Sequence, residues 1–170
     1  MRLADLNALD DDAAVRELLR CCGSSRWART MAASRPFSSV AAIERAADEV
    51  WLALEEPDIL EAFAAHPKIG AGEAGGDGAP QWSAQEQSGV RAATGDVRER
   101  LAAGNRAYEA RFGYIFIICA TGKSADEMVA SLEQRLRHTP DEELRIAADE
   151  QRMITRLRLT KLLDGEQNTP

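Results

Sequence analysis

His66 is one of two histidines in the 170 residues, and the local sequence restricts its backbone. It ends an alanine-rich stretch and precedes Pro67, which confines the histidine to extended or polyproline geometry. An imidazole is the side chain best suited to move a proton near neutral pH. The helix dipole also favours a histidine at the end of a helix. The position therefore fits either proton transfer or a helix-terminal structural role.

A second group of polar residues, Ser83, Glu86 and Gln87, follows the histidine after a glycine-rich stretch. Ser83 and Glu86 have the spacing of a capping box, in which two side chains satisfy free amides at the start of a helix. The same helix start would offer a hydroxyl, a carboxylate and a carboxamide to a polar ligand. The spacing fits both interpretations.

An arginine near the end of the chain differs from its neighbours in the direction that it faces. Arg152 and Arg156 share one face of the predicted last helix, whereas Arg158 lies about 200° from Arg156, in line with Gln151 and Thr155. Its alkyl part could cover the core while its guanidinium reaches water. Alternatively, the guanidinium could bind a carboxylate through two parallel hydrogen bonds.

Apolar residues recur at helical spacing along most of the chain, which predicts an all-α fold of about eight helices. Serine, aspartate and proline mark the helix starts, and glycine or proline marks several ends. The predicted helices cover residues 10–22, 24–33, 38 or 39 to 54, 57–65, a short segment from 83, 96–112, a segment from 124, and 139–163.

Two stretches fall outside the helical pattern. Residues 66–82 are rich in glycine and are predicted to form a surface loop. Residues 114–120 are continuously apolar, and periodicity does not distinguish a buried extended run from a buried helical turn. We expect a single domain over residues 1–170, with a core of about 6–163 and a flexible tail at 164–170.

Composition excludes several classes of protein. The net charge of −7 and the pI near 5.0 argue against a nucleic-acid partner or an anionic membrane surface. No apolar run is long enough to span a membrane, and acidic residues near the start are unlike a signal peptide, so we expect a cytoplasmic protein. Cys21, Cys22 and Cys119 lack the spacing of a metal site and are predicted to be small buried residues.

Five motifs in one order carry a resemblance to a known family. They are Arg35-Pro-Phe37, His66-Pro-Lys-Ile-Gly70, Ser83-x-x-Glu-Gln-Ser-Gly89, Asn105-x-x-Tyr-x-x-Arg-Phe-Gly-Tyr-Ile-Phe-Ile-Ile-Cys-Ala120 and Leu157-Arg-Leu159. From about Leu6 to Leu163 the chain resembles 2-oxo-4-hydroxy-4-carboxy-5-ureidoimidazoline (OHCU) decarboxylase, which forms (S)-allantoin in urate degradation. The resemblance implies an all-α homodimer without a metal or organic cofactor, and a small-molecule substrate.

The resemblance also implies roles for individual residues. His66 matches the catalytic histidine, which we expect to act as a general base, with Glu86 orienting it or assisting proton transfer. The matched substrate-binding residues are Pro67, Ser83, Gln87, Phe116, Ile117, Ile118, Cys119, Ala120 and Arg158. The final Asn-Thr-Pro is not the peroxisomal tripeptide of many eukaryotic members, so we expect a bacterial cytoplasm. The alternative function is a non-catalytic helical domain that keeps the pocket and binds a small molecule or dimerises.

Overall fold

A computed structural model describes residues 1–69 and 95–163. This part of the chain contains eight helices and no strand, which confirms the predicted all-α class. The helices are α1 (Leu3–Ala8), α2 (Asp11–Leu19), α3 (Ser25–Ala33), α4 (Val40–Leu52), α5 (Glu56–Ala64), α6 (Gly95–Phe112), α7 (Ala125–Arg135) and α8 (Pro140–Leu163). The described residues form two compact units, 1–62 with 152–163, and 63–69 with 95–151.

In the first unit α3 packs against α2 and α4. Ser24 starts α3 by accepting a hydrogen bond from the amide of Trp27 at 3.2 Å, and Ser39 does the same for Ala42 at the start of α4. Trp27 is fully buried, and its indole N–H donates to the carbonyl of Ala47 at 3.1 Å. This bond joins α3 to α4 and satisfies the one polar atom of the largest core side chain.

Arg35 connects the first helices through their carbonyl ends. Its Nη1 donates to the carbonyls of Leu6 and Leu9 at 2.9 and 2.7 Å, and its Nη2 donates to Asp11 at 2.8 Å. The arginine of the first family motif therefore satisfies carbonyl groups that the end of α1 leaves without helical partners.

The second unit is built on the contact between α6 and α7. The buried residues of each helix lie along one helical face: Val97, Leu101 and Tyr108 on α6, and Ala125, Met128, Val129, Leu132 and Arg135 on α7. Gly113, with φ of 81°, ends α6 in the left-handed conformation. The capping box of Ser124 and Glu127 starts α7 as the sequence predicts.

Apart from shifts of one residue at helix ends, the sequence predictions differ from the structure in three places. α1 was not predicted, because six residues are too few to establish a helical period. α2 ends at Leu19 rather than residue 22, since Arg20 and Cys21 bond to carbonyls three positions back and tighten the last turn. α4 ends at Leu52 rather than 54 for the same reason.

Several expectations concern residues outside the described ranges. These are the loop beyond residue 69, the helix from residue 83 and the tail at 164–170. The single-domain expectation stays a prediction. The three cysteines are free and buried, as predicted. None of the described helices is sufficiently long and apolar to cross a membrane.

Candidate functional site

The chain around His66 is attached to α6 and to the segment that follows it. The Phe63 ring packs against the Tyr114 ring with centroids 5.2 Å apart. The side-chain amide of Asn105 donates to the carbonyl of Ile69 at 2.9 Å, and Lys68 pairs with Glu109 at 2.7 Å. These contacts fix the backbone on both sides of the histidine.

His66 itself is half-buried, and its backbone N–H donates to the carbonyl of Phe63 at 3.1 Å. Its Nε2 atom is buried. The backbone bond to Phe63 continues the turn that ends α5, and Pro67 prevents the helix from extending further. The imidazole is therefore attached to a defined helix end rather than to a freely rotating loop.

Residues 115–120, here named the strip, form neither helix nor strand although Phe116 to Ala120 are buried. Side chains from elsewhere bond to its backbone. The Arg135 Nη1 donates to the carbonyl of Ile117, the Lys123 Nζ donates to the carbonyl of Cys119, and Glu150 accepts from the amide of Cys119, each at 2.7 Å. These three buried backbone groups are thus paired without a strand ladder. Of the two conformations that the sequence left open, the helical turn is excluded.

A buried polar network lies behind the strip. The Arg135 side chain is 5% exposed and that of Glu143 is 0% exposed. The Nε and Nη2 of Arg135 donate to Glu143 Oε1 at 2.7 and 2.5 Å, and the hydroxyl of Tyr108 donates to the same oxygen. The other carboxylate oxygen contacts the Nδ1 of His138 at 2.9 Å. Burial, and then the hydrogen bond to Glu143, raise the pKa of Tyr108, so the phenol stays protonated.

Arg158 lies in the first unit and is 5% exposed. Its guanidinium is therefore not at the surface, unlike that of an arginine whose alkyl part alone covers the core. The charge of Arg158 has a lowering effect on the pKa of Cys21 and of Cys22. Burial nevertheless raises the pKa of Cys22 to about 12, against smaller lowering effects of the Ser24 backbone, Thr155 and Arg158. The thiol is neutral at physiological pH and is a packing group rather than a nucleophile.

The structure places the predicted site residues in three groups. His66, Pro67 and the strip residues Phe116, Ile117, Ile118, Cys119 and Ala120 belong to the second unit. Arg158 belongs to the first unit, and Ser83, Glu86 and Gln87 lie outside the described residues. The meeting of His66, Glu86 and Arg158 at one substrate stays a prediction.

Sequence reasoning missed the residues that hold the strip. Arg135 follows Leu132 by three positions and so falls on the apolar face of α7, and Glu143 precedes the buried Ala147 by one helical turn. Two opposite charges at core positions were a usable signal of a buried pair. Glu150 gave no comparable signal, because it lies at a half-buried position among other charged residues.

Within 1–69 and 95–163, no three His, Cys, Asp or Glu side chains are grouped so that they could hold a metal ion.

The sequence profile of the OHCU decarboxylase family matches residues 7–160. The chain belongs to this family. Among its relatives, the chain is 31% identical to the OHCU decarboxylase of Haloferax volcanii, with 98% of both chains covered. The two proteins thus match along nearly their entire lengths.

A longer relative is the uric acid degradation bifunctional protein TTL of Arabidopsis thaliana. It is 39% identical over 86% of this chain, and the chain spans 46% of that protein's length. Among solved structures, an OHCU decarboxylase crystallised in the presence of (S)-allantoin superposes with a TM-score of 0.77 at 35% identity. The match covers 88% of this chain and 98% of that one.

Proposed function

We propose that this protein decarboxylates OHCU to (S)-allantoin in the degradation of urate, without a metal or organic cofactor. The observation that carries the proposal is the likeness along most of the chain, in sequence and in fold, to a solved OHCU decarboxylase. The family match extends across the segments that contain His66, Glu86 and Arg158.

The substrate chemistry explains why no cofactor is required. One ring carbon of OHCU bears both a hydroxyl and a carboxylate, beside a C=N bond. When the bond to the carboxylate breaks, carbon dioxide leaves and its electron pair forms a C=C bond to the neighbouring carbon. The C=N pair moves onto the nitrogen, which takes up a proton. The hydroxyl then loses its proton as the carbonyl forms, and the neighbouring carbon gains a proton on one face. The substrate thus supplies the electron sink that a cofactor supplies in other decarboxylases.

The protein must orient the substrate and handle these protons. We assign the hydroxyl proton to His66 as general base, with Glu86 orienting it or assisting the transfer. Arg158 and Gln87 would hold the polar edges of the ring and the ureido group, with Ser83 and Pro67 completing the binding segment. The strip would exclude water, so that protonation occurs from one side. The attachment of the His66 segment to α6 supports the assignment, because a proton-transfer group must be held in place.

The same proposal includes the surroundings of the enzyme. A net charge of −7 supports a small-molecule substrate rather than nucleic acid or a membrane surface as the partner. By likeness to the family we also propose a homodimer that works in the cytoplasm. Size-exclusion chromatography with light scattering tests the dimer, and a monomeric mass at micromolar concentration contradicts it.

Freshly generated OHCU, followed by circular dichroism, tests the activity. We expect the wild-type protein to accelerate the appearance of optically active allantoin. His66→Gln should reduce the turnover number by roughly 10² to 10⁴, the usual contribution of one positioned acid or base. The variant should keep its helical spectrum, its melting temperature and its binding of (S)-allantoin. Binding without turnover by the wild-type protein would favour the non-catalytic alternative, and full turnover by His66→Gln would reject the histidine as base.

A further inference from the structure

The buried pair of Arg135 and Glu143 requires an explanation beyond stability. Removing two charges from water costs about as much as their attraction returns, so a buried ion pair is often replaceable by apolar residues without loss. Here Glu143 is fully buried and Arg135 nearly so. The pair has contacts, however, that apolar side chains could not make.

The guanidinium of Arg135 uses its donors on two different partners. Nε and Nη2 face Glu143, whereas Nη1 donates to the carbonyl of Ile117 at 2.7 Å. The centre of the guanidinium lies 4.7 Å from the centroid of the Phe116 ring. A planar fork with five N–H groups can satisfy a carboxylate and a carbonyl while lying over a ring, and the single ammonium group of lysine cannot.

Glu143 fixes the orientation of this fork. Its Oε1 accepts from Arg135 and from the hydroxyl of Tyr108, and its Oε2 contacts the Nδ1 of His138 at 2.9 Å. The carboxylate is therefore held by groups on α6 and from the turn before α8. Rotation of the guanidinium away from Ile117 would break its bonds to Glu143.

The strip depends on these contacts, because no helix or strand ladder holds its backbone. We propose that Arg135 is a positioning residue for the decarboxylation: through the Ile117 carbonyl and the Phe116 ring it holds the strip in the conformation that meets the substrate. Glu143 is the group that orients it. This inference rests on the proposed function. Arg135 itself is buried behind the strip and acts through it.

A double variant separates positioning from stability. Arg135→Met with Glu143→Gln removes both charges together, keeps similar volumes, and leaves an amide for Tyr108 and His138. We expect this variant to fold with a melting temperature lowered by roughly 2–12 °C, because the Ile117 carbonyl loses its donor. Its kcat per folded molecule should fall about tenfold or more, because small displacements of substrate contacts are costly. Amide hydrogen exchange across residues 116–120 should become about tenfold faster, since the opening free energy of the strip is reduced.

Arg135→Lys provides a second variant that keeps the charge opposite Glu143. We expect it to fold and to show the same low kcat and fast exchange, because one ammonium cannot also hold the Ile117 carbonyl and cover Phe116. If the double variant does not fold, the kcat and the strip exchange of Arg135→Lys, compared with wild type, test the positioning role instead. The matched control is Arg100→Met with Glu133→Gln, an exposed pair at 2.7 Å between α6 and α7, the helix that also carries Arg135. The control should change neither kcat nor exchange in the strip.

The outcomes distinguish the two proposals. A wild-type protein that is active, together with Arg135 variants of unchanged kcat or unchanged exchange in the strip, overturns the positioning role alone. A wild-type protein without activity overturns the proposed function and with it the catalytic consequence. If the Arg135 variants have a lower melting temperature but a normal kcat per folded molecule, the role of Arg135 is purely structural. That result also overturns the inference.

Discussion

Asn105→Ala tests whether α6 positions the candidate catalytic histidine. The Asn105 side chain donates to the Ile69 carbonyl at 2.9 Å, three residues after His66. Its loss removes one hydrogen bond and leaves the carbonyl without that donor, which together should cost about 1–3 kcal/mol. For a chain of this size each kcal/mol lowers the melting temperature by about 2–4 °C, so we expect a decrease of roughly 2–12 °C.

The effect on turnover should exceed what this loss of stability explains. A displacement of about 1 Å in a reacting group can reduce the rate by up to about 10². We therefore expect kcat for OHCU to fall about 10- to 100-fold at a temperature where wild type and variant are both folded. Circular dichroism of the product measures the rate, and thermal unfolding measures the folded fraction.

Lys68→Gln is the matched control. Lys68 belongs to the same segment and pairs with Glu109, one turn after Asn105 on α6, but both side chains are exposed. An exposed ion pair contributes about 0–1 kcal/mol, so this variant should retain its melting temperature and kcat. If Asn105→Ala lowers the melting temperature but leaves kcat per folded molecule unchanged, α6 does not position His66.

Two further predictions concern stability. Gly104→Ala should destabilise the protein by about 1 kcal/mol, because the new Cβ would lie 2.5 Å from Leu132 Cδ2 and the cost of overpacking exceeds the gain in helix propensity. Gly95→Ala, with open space at its Cβ, should be neutral in the same chemical denaturation, and equal effects would contradict the packing argument. The pKa of Cys22 rises from 9.0 to about 12 on folding, so its contribution is complete below pH 9 and is lost as pH rises toward 12. Between those limits Cys22 makes the free energy of unfolding fall by about 1.4 kcal/mol per pH unit, and Cys22→Ala should remove this part of the slope. The same slope in wild type and variant would contradict the effect of burial on this thiol.

Local chemistry explains which parts of the fold could be predicted from the sequence. Ser24, Ser39 and Ser124 each accept from an amide three residues ahead, so the signal and its partner lie within one turn. The alignment of Arg158 with Gln151 and Thr155 along α8 also follows from helical periodicity, and the structure shows that all three are buried. α1 was not predicted, because it is short and because its N-cap, Arg2, is not a typical capping residue.

The candidate site could be predicted only in part. Pro67 restricts the backbone of His66, the residue before it. The end of α5 at this point can therefore be predicted from two adjacent residues. The partners of the strip are Lys123, Arg135 and Glu150, which lie on or before two later helices. Their contacts depend on how those helices pack, and a periodic pattern carries no information about that packing.

Cys119 illustrates a consequence of this arrangement for sequence variation. Its amide and its carbonyl are both engaged, by Glu150 and Lys123, through atoms that every amino acid except proline possesses. Alanine or serine could therefore replace the thiol without altering the course of the main chain, whereas proline would abolish the donor. Tolerance to substitution should thus be greater at position 119 than at the distant charged positions that determine the shape of the strip.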